Sequence, residues 1–231
     1  DCAYLDAPCT KGVCELNAGS SKYECVATDK DPCVVDLDYC QDFSGTGTLK
    51  QQGWNPTDVG ENPAADHWAL DSSGGLGPDQ HIALTWTPTI VNYNTCLQSP
   101  VIQAAGAKKV TMQWDHEYIH NLKDVTLTIL GTLNGYTPDW KTATVVTAVT
   151  PTSNLGPETL DVTLPDSLSG SNGLRLAFCV SGTSTFNFTS FSVDNVCVVK
   201  GQPPVYAKCA GAQTVPMGSV LKVPLKAKDP D

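Results

Sequence analysis

Between positions 114 and 122 the sequence reads WDHEYIHNL, which sets His116, Glu117 and His120 in H-E-x-x-H order. On a helix both imidazoles would reach one zinc ion, and Glu117 would polarise a metal-bound water. On a strand the two histidines also share a face, but they stand about 13 Å apart and cannot share an ion. The flanks VTMQW and DVTLTIL favour the strand, being short, rich in Val, Thr and aliphatics, and free of an N-cap followed by an apolar stripe. Further ligands are missing as well. The extended zinc motif needs Gly and His where this chain has Lys123 and Thr126, and the one downstream glutamate, Glu158, lies in turn-like NLGPETL. A zinc metalloprotease is therefore the last of three functional readings, behind a polar strand end facing water.

Other chemistry is sparse. His67 and His81 lie near Asp66 and Asp79 in Gly- and Pro-rich loops, but no G-x-S-x-G elbow supplies a nucleophile. No catalytic residue is assigned, and the chain is expected not to be an enzyme. Trp54, Trp68, Trp86, Trp114 and Trp140 can either stack on sugars or fill a core. Trp86 and Trp114 fall inside apolar strands and are expected to be buried. Trp54 adjoins a polar loop and is the candidate ligand-binding residue. Asn187 heads N-F-T, an acceptor for glycosylation in a eukaryotic secretory pathway.

The whole chain bounds these possibilities. Its 231 residues carry a net charge of −10, and the 14 Lys and Arg do not cluster, which argues against a nucleic-acid partner. No apolar run reaches the length of a membrane span, so direct membrane insertion is not expected. With Asp1 at its start, the sequence reads as already processed. Ten cysteines, five of them within the first 33 residues, point to disulfides and a secreted or cell-surface location.

Three segments follow. Residues 1–32 alternate Cys with Asp, Pro, Gly and Ser and hold almost no apolar cluster, so cross-links must support them. Cys2 with Cys14 and Cys9 with Cys25 would resemble an EGF-like order, although sequence does not fix connectivity. Residues 33–200 give strand after strand: HIALTWT, VTMQW, DVTLTIL, TATVVTAV, TLDVTLP, LRLAFCV and FSVDNVCVV. Short strands bounded by turn residues around one core predict an all-β fold, a jelly-roll β-sandwich. Residues 201–231 open with Pro203 and Pro204, a stiff linker, and continue as a β-tail resembling the first strands of an Ig-like or cadherin-like repeat. That tail either continues into a further repeat or, from Ala212 to Ala227, donates a strand to an exposed sheet edge in a homo-oligomer or fibre.

The order of features within 33–200 resembles the MAM domain and its bacterial MAM-like relatives. It runs from Cys40, Asp42 and Phe43 through Gly53-Trp54, Trp68 and CLQSPVI to VTMQWDHEY, Trp140, LRLAFCV and FSVDNVCV. The resemblance implies an extracellular module that binds protein or glycan, with carbohydrate binding as the alternative to adhesion. It also implies a structural Ca²⁺ where first and last strands meet, held by Asp42 and Asp194, with Asp36 and Asp38 as outer candidates. The remaining bridges expected here are Cys33 with Cys40, Cys96 with Cys179, and Cys197 with Cys209.

Overall fold

The computed structural model describes residues 2, 9–17, 19–20, 22–29, 32–45, 47–72, 80–103, 107–118, 124–150, 155–169, 172–200, 205–206 and 227–228. Strands β1 (Thr10–Asn17) and β2 (Lys22–Asp29) form an antiparallel hairpin of their own, with Cys14 directly opposite Cys25. Then come β3 (Val34–Asp36), β4 (Tyr39–Gln41), β5 (Asn55–Asp58), β6 (Trp68–Asp71) and β7 (His81–Thr85). They are followed by β8 (Val91–Gln98), β9 (Val101–Gln103), β10 (Ala107–Tyr118), β11 (Thr126–Thr132), β12 (Thr144–Val149) and β13 (Leu155–Thr163). Two 13-residue strands, β14 (Asn172–Ser184) and β15 (Phe188–Lys200), complete the sandwich. Beyond it the short β16 (Val205–Tyr206) pairs with β17 (Ala227–Lys228).

One sheet runs β13-β10-β15-β7-β6, with β4 also paired to β15; the other runs β12-β11-β14-β8-β5, with β9 on β14 and β3 parallel to β9. The chain passes repeatedly between the two sheets, among other places after β7, β10 and β14, and the fold is the expected all-β jelly-roll sandwich. Inward residues such as Leu127, Ile129, Phe178, Phe191 and Val193 are at most 1% exposed. Each such side chain stabilises the fold by about 1.5–3 kcal/mol on burial.

Four bridges are formed: Cys2–Cys25, Cys9–Cys33, Cys40–Cys197 and Cys96–Cys179. Cys96–Cys179 is the expected pair, joining β8 and β14 where the two residues face each other in register. The other expected pairs need correction. Cys33 does not join Cys40, despite their closeness in sequence, because β3 enters one sheet and β4 the other. β4 lies against β15 with Cys40 opposite Cys197, so that pair bonds across the ladder and Cys197 is not available to Cys209. Cys209 itself lies outside the described residues. Cys9 bonds Cys33 rather than Cys25, and both sulfurs sit in the core over Gly53, where a Cβ would collide with them. Cys2 bonds Cys25 rather than Cys14.

Trp54 also departs from expectation, since it is fully buried and cannot present itself to a ligand. A tight turn reverses the chain just before it, with the amides of Gln52, Gly53 and Trp54 donating to the carbonyls of Thr48, Lys50 and Leu49. The polar neighbours stay on that turn, and the indole is driven inward against Phe43 and Phe178. Its Nε1 donates to the Tyr39 hydroxyl at 2.9 Å.

Candidate functional site

Three crossovers meet at one end of the sandwich, namely the 86–90 connection, the entry to β11 at Asp124, and a 3₁₀ turn at Thr185–Asn187. Register aligns them: Thr85 lies opposite Ser190, Val91 opposite Ser184, and Thr126 opposite Ser181. Thr185, fully buried, ties the first and third together. Its hydroxyl donates to the Trp86 carbonyl at 2.7 Å and accepts from the Ile90 amide at 2.9 Å, while its own amide donates to the Ile90 carbonyl. A second tie comes from Asp124, whose carboxylate accepts from the Thr183 amide at 2.9 Å, the Thr183 hydroxyl at 2.6 Å and the Asn187 side-chain nitrogen. Gly182 permits that approach, since a Cβ there would stand 2.7 Å from the Asp124 carbonyl oxygen.

The fixed loops display an aromatic pair. Trp86 is half-buried and Phe186 is 43% exposed, edge to face with centroids 5.6 Å apart. On the same crossover Pro88 and Val91 are also exposed, the latter at 56%, together with Thr87 and Asn92, and Thr183 is exposed on β14. An apolar ring face beside hydroxyl and amide groups can stack on the C–H face of a sugar or seat an apolar side chain of a protein. The expectation that Trp86 is buried is thus corrected: it stands at the end of its strand, where the chain leaves the sheet. Phe186 was not singled out by its sequence context. Alternation would group it with Phe188, but the 3₁₀ turn sends Phe186 outward while Phe188 is buried.

His116 and Glu117 lie on β10, opposite Phe191 and Ser190 of β15, so this backbone is extended and no zincin helix runs through it. His120 is outside the described residues. Among the other histidines, His67 is buried with Nδ1 2.8 Å from the Thr85 carbonyl oxygen, and His81 is wholly buried. Trp68 and Trp140 are core residues, while the Trp114 side chain lies outside the described residues. Asn187 has its amide nitrogen, the atom that glycosylation would modify, engaged by Asp124.

The β4–β15 ladder places the backbone at Asp42, the residue after β4, beside the part of β15 that carries Asp194. The β4–β15 ladder ends with Gln41 opposite Val196, so Asp42 follows on at the level of Asn195. Asn195, at φ +49°, takes up an extra residue in β15, and Asp194 turns inward to 4% exposure with its oxygens accepting from the Asn195 amide and side chain. Asp42 is exposed. Its carboxylate accepts from the hydroxyl and amide of Ser44, which hold its pKa below the ordinary value. Gln80 turns its amide nitrogen to the carbonyls of Phe43 and Gly45 at 2.8 and 3.2 Å. The Asp194 carboxylate is thus engaged by Asn195 nitrogens and the Asp42 carboxylate by Ser44, and among the described residues no group of three Asp, Glu, His or Cys ligand atoms gathers here. Asp36 and Asp38 are exposed, and Asp38 accepts from the Lys200 amide at 2.9 Å.

A shallow concavity of about 510 Å³ opens between the edge strands β5 and β6, lined by Leu49, Lys50, Pro56, Trp68 and Leu70.

No family model and no curated sequence matches the chain. Its structure is similar to that of the K1 cleaved adhesin domain of Lys-gingipain from Porphyromonas gingivalis W83, at 13% identity and a TM-score of 0.52, over 72% of this chain and 99% of that domain. The K3 cleaved adhesin domain of the same protein aligns at 13% identity and a TM-score of 0.50, over 71% of this chain and 98% of that one. A carbohydrate-binding module of the β-sandwich superfamily aligns more loosely, at 10% identity and a TM-score of 0.48, over 77% of this chain and 68% of the module. At these identities the likeness is one of fold.

Proposed function

We propose that this chain is a non-enzymatic, extracellular recognition module that binds protein or glycan through the loop tip around Trp86 and Phe186. The observation that carries this reading is an edge-to-face aromatic pair, Phe186 exposed and Trp86 half-buried, held on two crossovers by a buried threonine. Such fixed rings lose little conformational freedom on binding, which is what a recognition surface needs. The adhesin-domain neighbours support a binding role, and the MAM-like order of motifs agrees with one. Four disulfides support an oxidising compartment.

The test is binding of the intact chain to immobilised glycans and to extracellular-matrix proteins, with W86A and F186A alongside. Loss of about tenfold or more in affinity for one ligand class, with folding unchanged, supports the tip as the site. Unaltered binding by both variants overturns it.

Assembly by strand exchange is a second reading, favoured by the apolar concavity between the edge strands β5 and β6. The donor segment Ala212–Ala227 lies outside the described residues except at Ala227, which pairs with Tyr206. Removing residues 212–231 should abolish higher oligomers in light scattering; oligomers that persist refute the exchange.

A further inference from the structure

The N-terminal hairpin gathers three sulfurs, one more than a single bridge can use. Cys14 and Cys25 face each other across β1 and β2, and Cys2 bonds Cys25. The Cys14 sulfur is a free thiol beside that bridge, and all three sulfurs lie within 4.8 Å of one another. Cys14 is exposed, Cys25 is half-buried and Cys2 is 5% exposed. A nucleophile, an electrophilic disulfide and a leaving group are thus collected in one place, and solvent reaches the nucleophile.

The geometry points to an internal thiol–disulfide exchange in which the free thiol migrates between Cys14 and Cys25. The Cys14 thiol gives its proton to water, and its thiolate attacks the Cys2 sulfur. The Cys14–Cys2 bond forms as the Cys2–Cys25 bond breaks, and the electron pair leaves on Cys25, which takes up a proton. Two sulfurs remain oxidised and one reduced, so no outside oxidant or reductant is needed. Neither arrangement requires the hairpin to part, because the donor and acceptor strands are already in register. The consequence is a surface switch. In one isomer β1 offers an exposed thiol to an external thiol or disulfide; in the other that thiol is withdrawn to the half-buried position on β2.

The full chain, purified without reductant and held at about pH 8 so that thiolate is present, is trapped at that pH with excess N-ethylmaleimide, then acidified and mapped by non-reducing peptide mass spectrometry. Label should divide between Cys14 and Cys25, with the minor site carrying at least about 1–10% of the total, as expected for a minor conformer. Label confined to one of the two residues, or absent from both, overturns the exchange. In the C25S chain, Cys2 and Cys14 should bond each other and take no label; labelling of both overturns it equally. The C14S chain should hold Cys2–Cys25 and show no label on either cysteine.

Discussion

Replacing Cys40 and Cys197 by alanine should be the most damaging change outside the core, and its size follows from topology. The bridge closes a loop with a sequence separation of 157, but Cys96–Cys179 already closes 83 of those within it, leaving about 75 residues whose freedom the outer bridge removes. Chain-entropy reasoning then assigns an entropy of about 15 cal/mol/K, or about 4.5 kcal/mol at 25 °C, as the ceiling; about 2–4 kcal/mol is the usual yield. The location adds weight, since β4 has three residues and its described ladder is with β15 alone, so the bridge also holds a marginal strand in the sheet. Equilibrium urea unfolding followed by tryptophan fluorescence is the assay. The midpoint of the double variant should fall by about 1–2 M. Cys14→Ala serves as the contrast, since removing an exposed thiol that closes no loop should change stability by no more than about 0.5 kcal/mol. A loss below about 1 kcal/mol in the double variant would refute the claim that this bridge closes the sandwich.

Thr185→Val keeps the buried shape but strands the Ile90 amide and the Trp86 carbonyl, and should cost about 2–4 kcal/mol by thermal or urea unfolding while loosening the tip. A bound Ca²⁺ at Asp42 and Asp194 should raise the melting temperature by several degrees relative to EDTA-treated protein, and D194N should erase that difference; equal melting with and without EDTA removes the site. Burial pushes the Tyr39 phenol well above its ordinary range, and the Trp54 hydrogen bond only partly offsets this. The folded state therefore holds that proton more tightly than the unfolded chain. Stability from this group is complete below about pH 10 and falls above it by up to about 1.4 kcal/mol per pH unit. The Y39F chain should lack that alkaline component when the two unfolding profiles are subtracted.

Strand content, disulfide bonding and the extended conformation at His116 and Glu117 were legible from the sequence, because each rests on local composition or on period-two patterning. What depended on which sheet a strand joins was not legible. Cys33 and Cys40 are seven residues apart yet belong to different sheets, whereas Cys40 and Cys197 are far apart in sequence and adjacent in the ladder.

The exchange of roles between Trp54 and Trp86 has the same origin. A polar turn folds Trp54 fully into the core, and a strand end leaves Trp86 half-buried at the core's margin, although the local sequence suggests an exposed Trp54 and a buried Trp86. The tip is assembled from contacts between Trp86 and Thr185 and between Asp124 and Thr183, separated by 99 and 59 positions. Sequence by itself determined the all-β class and seven of the strands from β7 onward, since these follow from backbone preference and the alternation of side chains, but not the β1–β2 hairpin or the short strands β3 to β6. Tertiary structure decided three of the four bridges, the loop tip around Trp86 and Phe186 and the three-sulfur cluster, because each is a coincidence in space between segments whose local sequences carry no record of one another.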